Sequence, residues 1–196
     1  MPPRLFLASQ SPRRRELLHQ LGVAFEPLDV DVPEQRAPGE APADYVSRVA
    51  RAKAAAGLRR LGGLAGAVVI GADTEVVLDD EVFGKPADAA EAASMLRRLS
   101  GRTHLALSVL WCMDAAHAES AQSASSVTFC DLSDDAIRAY VASGEPFGRA
   151  GAYAIQGRAG AFVRRLEGSY SGVMGLPLHE TAVLLARFGL GADAPP

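Results

Sequence analysis

Cysteine is nearly absent. Cys112 and Cys130 form no C-x-x-C pair, which argues against both a zinc framework and a disulfide scaffold. No apolar run is long enough to span a bilayer, and the opening M-P-P-R-L-F-L-A-S lacks the apolar stretch of a signal peptide. Basic excess is missing too. The net charge is −3, so nucleic acid is not the expected partner and any anion site must be local. Familiar signatures are also lacking: there is no G-x-x-x-x-G-K-[ST] loop, no G-x-G-x-x-G after a strand and no G-x-S-x-G elbow. His179-Glu180 opens like a zinc-protease helix but has no second histidine. What remains is 196 residues, 48% of them hydrophobic, enough to bury a full core as one large domain or two small lobes. The default expectation is a cytoplasmic enzyme or binding protein with no membrane partner.

Lysine is the scarcest of the charged residues. Against 18 arginines there are two lysines, Lys53 and Lys85. A chain so biased toward arginine would use it wherever a generic surface cation suffices. The ammonium is a compact point charge and the guanidinium a planar fork, so a site shaped for one rejects the other. Both lysines are therefore site candidates.

The stretch V-V-I-G-A-D-T-E-V-V-L-D-D-E-V-F-G-K-P, Val68 to Pro86, organises the rest. Its apolar start, from Ala67 to Ile70, reads as a buried strand that breaks at Gly71 and delivers Asp73 and Thr74 just past its end. Val76–Leu78 and Glu81–Phe83, joined by Asp79-Asp80, read as a hairpin returning the chain to Lys85. A carboxylate and an ammonium are thus presented at the two ends of one compact unit. For an isolated pair, a turn-forming Asp and a solvated Lys would be the blander account.

Around it, Leu5–Ala8 reads as a strand leading into a helix with Ser11 as N-cap and Pro12 at the first position. Arg13, Arg14 and Arg15 fill the first turn of that helix, the wrong sign for its dipole, which makes sense if an anion binds there. Phe25–Val32 reads as a strand, and Glu34 follows in a loop, where by itself it would be a solvated acid. A helix is expected over Tyr45–Leu61, with Lys53 in the middle of its apolar face, where an ammonium must meet an anion. Asp88 and Glu91 suggest a capping box, His104–Met113 and Ala121–Cys130 long strands, and Ser133–Val141 a short helix. Gly148–Gly157 is glycine-rich, with Tyr153 and Gln156 as its neutral hydrogen-bonding side chains. Ala161–Leu166 and Ser171–Met174 flank a turn at Gly168, and Pro177–Phe188 is a final amphipathic helix. Strands and helices intermix without a linker or internal repeat, so a single domain over 1–196 is expected, with 192–196 frayed. Carboxylates able to hold a divalent cation, together with several cations, describe a polyphosphate site.

The segments S-x-S-P-R-R (Ser9–Arg14), Glu34, Lys53, G-A-D-T (Gly71–Thr74), G-K-P (Gly84–Pro86), M-L-R-R-L-S-G (Met95–Gly101) and A-G-A-Y-A-I-Q-G (Ala150–Gly157) resemble the Maf family. These are proteins named for septum formation that act as nucleoside triphosphate pyrophosphatases. The resemblance runs in order along nearly the whole chain, and the A-Y-x-I-Q-G form is similar to the branch acting on dTTP and UTP. It implies an α/β fold related to inosine triphosphatases, a mixed sheet flanked by helices with two lobes and a central cleft. A requirement for Mg²⁺ or Mn²⁺ and a homodimer are implied as well. By the same resemblance Asp73 is the proton acceptor, Arg13, Thr74 and Gln156 select the base, and Glu34, Lys53 and Lys85 complete the polar site. Pro33 and Glu75 depart from the family, which often has an acid and an apolar residue at these positions.

The expected reaction is attack of water on the α-phosphorus, with pyrophosphate leaving. Glu34 and Asp73 would hold the metal, and Asp73 would also take the proton of water. One oxygen cannot do both, and the sequence leaves that choice open. Lys53, Lys85 and the Ser11–Arg14 helix start would neutralise the β- and γ-phosphates. The alternative is a nucleotide-binding regulator of septum formation and cell division, in which hydrolysis is incidental.

Overall fold

The computed structural model describes residues 2–191, so the tail expected to fray, 192–196, lies outside the described residues. One mixed sheet of seven strands dominates: β1 (Arg4–Ala8), β2 (Phe25–Leu28), β3 (Ala67–Leu78), β4 (Glu81–Phe83), β5 (Thr103–Met113), β6 (Ala118–Phe129) and β7 (Val163–Glu167). Their order is β2-β1-β3-β5-β6-β7, with β4 added to β3. β1 runs parallel to β2 and β3, and the β3-β5-β6-β7 half is antiparallel. This is the α/β architecture that the resemblance implied. Among the described residues six α-helices flank the sheet: α1 (Pro12–Gln20), α2 (Pro42–Arg60), α3 (Ala89–Leu99), α4 (Asp134–Ala142), α5 (Tyr170–Met174) and α6 (Leu178–Arg187).

Strand alternation sorts the core. Leu5 and Leu7 of β1 with Val68 and Ile70 of β3 face Leu17 and Leu18 of α1 and Leu184 and Leu185 of α6. On the other side Val46, Val49 and Ala50 of α2 pack over Leu107 and Val109 of β5, while Phe6 and Val69 meet Leu58 and Leu61. A separate apolar cluster joins Leu96 and Leu99 of α3 and Ile137 and Tyr140 of α4 to Val76, Phe129 and Tyr153. The α1–α6 cluster and this α3–α4 cluster are separate, and the latter builds what is called the far lobe.

The expected break at Gly71 does not occur. β3 runs unbroken from Ala67 to Leu78, so Asp73 and Thr74 lie inside the strand. Gly71 answers a different demand, because a Cβ there would lie 2.4 Å from the Ala54 nitrogen and 2.6 Å from the Ala50 oxygen of α2. Its missing side chain lets the α2 backbone rest on β3. What stops near Gly71 is the neighbouring strand. The β1 ladder ends at Leu7 opposite Ile70, and the β4 ladder begins at Phe83 opposite Val76, on the same edge of β3. Residues 71–75 therefore have a strand neighbour only on the β5 side. The cleft opens at this gap.

The β3–β4 hairpin forms as expected, with Asp79 (φ 51°) and Asp80 (φ 62°) both in the left-handed region of a two-residue turn. β2 is shorter than the expected Phe25–Val32, because Ala8 opposite Leu28 is the last residue β1 offers. α2 begins at Pro42, earlier than expected, with that proline in its first turn. Asp88 caps α3 by accepting from the Glu91 N–H at 2.8 Å, while Glu91 reaches the Ala87 N–H at 2.7 Å, one residue outside the usual box. Ser171–Met174 falls in the short helix α5, capped by Ser169.

Candidate active site

A cavity of about 560 Å³ occupies the gap, within the range usual for small-molecule sites. Its wall includes all nine residues chosen from the sequence: Ser11, Arg13, Arg14, Glu34, Lys53, Asp73, Thr74, Lys85 and Gln156. Asp73 and Glu75, two residues apart on β3, share the α2 face of the strand, and Thr74 and Val76 share the other. With β1 and β4 both withdrawn from this edge, both faces of β3 border the cavity.

Lys53 projects from the apolar face of α2, which Gly71 has allowed close to β3. Its ammonium meets Asp73 Oδ1 at 2.7 Å and Glu34 Oε1 at 2.6 Å. The anion expected for Lys53 is thus two carboxylates. Lys85, after the hairpin, donates to Glu34 Oε2 at 2.8 Å. Burial alone would raise the Glu34 carboxyl, but the hydrogen bonds from Lys53 and Lys85 outweigh it and hold it down at about 2. The Tyr45 hydroxyl of α2 donates to the Glu34 carbonyl at 3.1 Å and ties the Glu34 loop to the helix.

The start of α1 makes the second wall. Ser11 caps the helix by accepting from the Arg14 N–H at 3.5 Å. Arg14 donates from Nε to the Gly175 carbonyl at 2.8 Å and from Nη2 to Thr74 Oγ1 at 3.3 Å. Burial lowers its guanidinium below the usual range, and the nearby Asp73, Glu34 and Glu75 offset this in part. Thr74 and Ser108 share a hydrogen bond of 2.7 Å, with Ser108 donating onward to the Gly172 carbonyl at 2.7 Å. Arg13 lines the cavity with Nη1 enclosed and without a hydrogen-bond partner. Arg15 leaves the group, drawn to Asp29 at 3.5 Å. Two of the three expected arginines therefore remain at the cavity.

The far lobe contributes the segment around Gln156, which is exposed at the cavity wall. Its backbone is held from α4. The Ala154 N–H donates to the Tyr140 hydroxyl at 3.1 Å, that hydroxyl donates to Glu145 Oε1 at 3.0 Å, and the Arg158 N–H donates to Glu145 Oε2 at 3.2 Å. Tyr153 is fixed by His104 Nε2 at 2.9 Å. Burial pulls His104 down to about 4, so it is neutral near pH 7.

Among the residues of this wall that sequence reasoning passed over are Arg149 and Glu75. Arg149 adds a guanidinium from the far lobe, its Nε enclosed without a partner. Glu75 is 7% exposed and places Oε2 in the interior with no hydrogen bond. Burial, reinforced by the charge on Asp73, pushes its carboxyl up to about 8. A strand drawn through Gly71 would have revealed Glu75, since period-two alternation puts it on the same face as Asp73.

The donors fit a divalent cation that takes part of its shell from a polyphosphate. Asp73 Oδ2 is enclosed and without a partner. Among the described residues no three His, Cys, Asp or Glu groups converge as a ready-made cage. Mg²⁺ characteristically binds through one or two carboxylates together with substrate phosphates, so no such cage is required.

A family model described as Maf-like protein matches residues 4–188. The dTTP/UTP pyrophosphatase of Xanthomonas euvesicatoria pv. vesicatoria (strain 85-10) is 57% identical over 188 residues, covering 94% of this chain and 98% of the relative. The nucleoside triphosphate pyrophosphatase of Xylella fastidiosa (strain M23) is 56% identical over 186 residues, covering 94% and 98%. The dTTP/UTP pyrophosphatase of Aromatoleum aromaticum (strain DSM 19018 / LMG 30748 / EbN1) is 51% identical over 197 residues, covering 95% and 96%. With matches of this length over a cleft built from the motif residues themselves, the chain belongs to the Maf family.

Proposed function

We infer that this protein is a nucleoside triphosphate pyrophosphatase that hydrolyses dTTP and UTP to the monophosphate and pyrophosphate. The observation that carries the reading is Asp73, a buried carboxylate at the unpaired edge of β3, facing a cavity lined by Lys53, Lys85, Arg13 and Arg14. The names of the relatives favour an enzyme over a regulator of division in which hydrolysis is incidental.

In the reaction a water oxygen attacks the α-phosphorus, the bond from that phosphorus to the bridging oxygen breaks, and pyrophosphate leaves with the bond electrons. Asp73 accepts the proton that water sheds. Lys53 fixes the Asp73 carboxylate through Oδ1 and leaves Oδ2 free for the proton or for a cation, one at a time. Lys85, Arg13, Arg14 and the N–H groups of the Ser11-capped helix start stabilise the charge on the leaving phosphates. Asp73 would hold Mg²⁺ or Mn²⁺, which when bound neutralises phosphate charge and acidifies water. Gln156 reads the base, its amide giving to O4 and accepting from N3–H of uracil or thymine. A homodimer in the cytoplasm belongs to the same reading, as does clearance of unwanted or modified nucleotides.

Pyrophosphate release from dTTP, UTP, CTP, ATP and GTP, with and without chelator, tests it. dTTP and UTP should lead, CTP should follow, the purines should be poorest, and chelator should abolish turnover. Nucleotide binding without pyrophosphate release would favour the regulator.

A further inference from the structure

Four carboxylates line the cleft, Asp31, Glu34, Asp73 and Glu75, and the two lysines do not treat them alike. Both oxygens of Glu34 are occupied, Oε1 by Lys53 at 2.6 Å and Oε2 by Lys85 at 2.8 Å. Asp73 has one oxygen on Lys53 at 2.7 Å, while its other oxygen, Oδ2, is enclosed with no partner. Glu75 meets neither lysine within ion-pair distance, and its Oε2 is likewise enclosed and unpartnered. Asp73 is 5% exposed and Glu75 7%, so neither gains compensation from bulk water. The two side chains project from the same face of β3, opposite Val109 and Leu107 of β5, at the stretch without a neighbour on the other edge.

Two unmet carboxylate oxygens, on side chains that share one face of a strand lining the cavity, suit a hard cation with oxygen ligands. Glu34 has no free oxygen to offer unless it surrenders a lysine.

We propose that the divalent cation of this cleft is held by Asp73 and Glu75, and that Glu34 is the counter-ion that positions Lys53 and Lys85. The proposal rests on the pyrophosphatase reading for the role of the cation, but not for its binding. Phosphate oxygens of the nucleotide would complete the shell.

The test is a titration of the nucleotide-free protein with Mn²⁺ alone, followed by the loss of the free-ion paramagnetic resonance signal. The wild type should take up one ion per chain. Glu75→Gln, which keeps the shape and removes the charge, should bind at least tenfold more weakly, as should Glu75→Val, which suits the strand. Glu34→Gln should stay within about threefold of the wild type. Circular dichroism and the urea midpoint establish that each variant is folded; if one Glu75 variant is not, the other decides. No uptake by the wild type would overturn the proposal. So would unchanged affinity in a folded Glu75 variant, or a loss in Glu34→Gln equal to that in Glu75→Gln. Pyrophosphate release is measured on the same samples. Wild-type Mn²⁺ uptake that depends on Glu75 but comes with no hydrolysis of any nucleotide would sink the enzymatic reading and leave the cation site standing.

Discussion

Replacing Lys53 by methionine keeps most of its length on the apolar face of α2 and removes the charge that separates Glu34 from Asp73. Its side chain is 10% exposed and its ammonium touches both carboxylates, at 2.6 and 2.7 Å. Removing one partner of a buried ion pair costs about 3–5 kcal/mol, because the remaining charge is left uncompensated. Glu34 keeps Lys85 and is a third exposed, so water screens part of its loss, whereas Asp73 loses its only ion pair. The expected destabilisation at pH 7 therefore lies at the lower end, about 3 kcal/mol, set mainly by Asp73. The pH dependence has a definite sign. Glu34 is held down at about 2 against an ordinary 4.5, so its share of stability is present above 4.5 and lost as pH falls toward 2. The gap between Lys53→Met and wild type should be full at pH 7 and narrow across that acid window. Urea denaturation of nucleotide-free protein at pH 7 and at successively lower pH reads it directly. Equal stability at pH 7, or a gap that widens in acid, would refute the reasoning. Lys53→Arg and Lys85→Arg extend the test to catalysis, where both should impair turnover despite keeping the charge, because a planar fork does not fill the place of an ammonium. Full kcat in both would make the lysines chance survivors.

Asp73→Asn should fold and lose about two or more powers of ten in pyrophosphate release, the usual scale for a missing general base; near wild-type turnover would remove Asp73 from that role. Gln156→Glu should lower kcat/KM for dTTP and UTP more than for CTP, since a carboxylate cannot donate to O4, whereas an equal loss on every nucleotide would place Gln156 outside base reading. Glu75, pushed up to about 8 from an ordinary 4.5, contributes stability that is complete below 4.5 and drains as pH rises toward 8. In metal-free protein Glu75→Gln should flatten that slope, and urea midpoints that fall in parallel for variant and wild type between pH 5 and pH 8 would contradict it.

Features governed by local chemistry were legible in the sequence. Ser11 before Pro12 marked the start of α1, Asp79-Asp80 marked the hairpin, and Lys53 on an apolar helical face announced a buried anion. Features governed by distant partners were not. Gly71 has the local look of a strand breaker, yet its role is contact with the backbone of Ala50 and Ala54 on α2. The end of β2 depends on where β1 stops, and β2 has no signal of its own near Leu28. Glu34, in a loop without periodicity, was recognisable as a site residue only through family resemblance. Arg149 was hidden among eighteen arginines, because a cation of the commonest type signals nothing until a cavity forms beside it.

Under the proposed function, two ammoniums have to be kept ready for phosphate in a partly buried cleft. Each must meet an anionic oxygen, and a carboxylate offers the same contact as a phosphate oxygen at similar distance. Glu34 provides that contact to both lysines at once while sitting in a loop whose backbone is secured elsewhere, by Tyr45 at the Glu34 carbonyl and by Arg48 at the Gln35 carbonyl. Its carboxylate can therefore swing without unfastening the chain. At Lys85, whose side chain is 57% exposed, the pair is of the weak, screened kind and exchanges partners at little cost. Lys53 differs, because Asp73 still holds it when Glu34 moves away, so the buried ammonium is never without a counter-charge. Phosphate oxygens entering at Lys85 would thus displace the easier half of the Glu34 contact first, with Lys53 and Asp73 remaining as the fixed pair about which the chemistry is set.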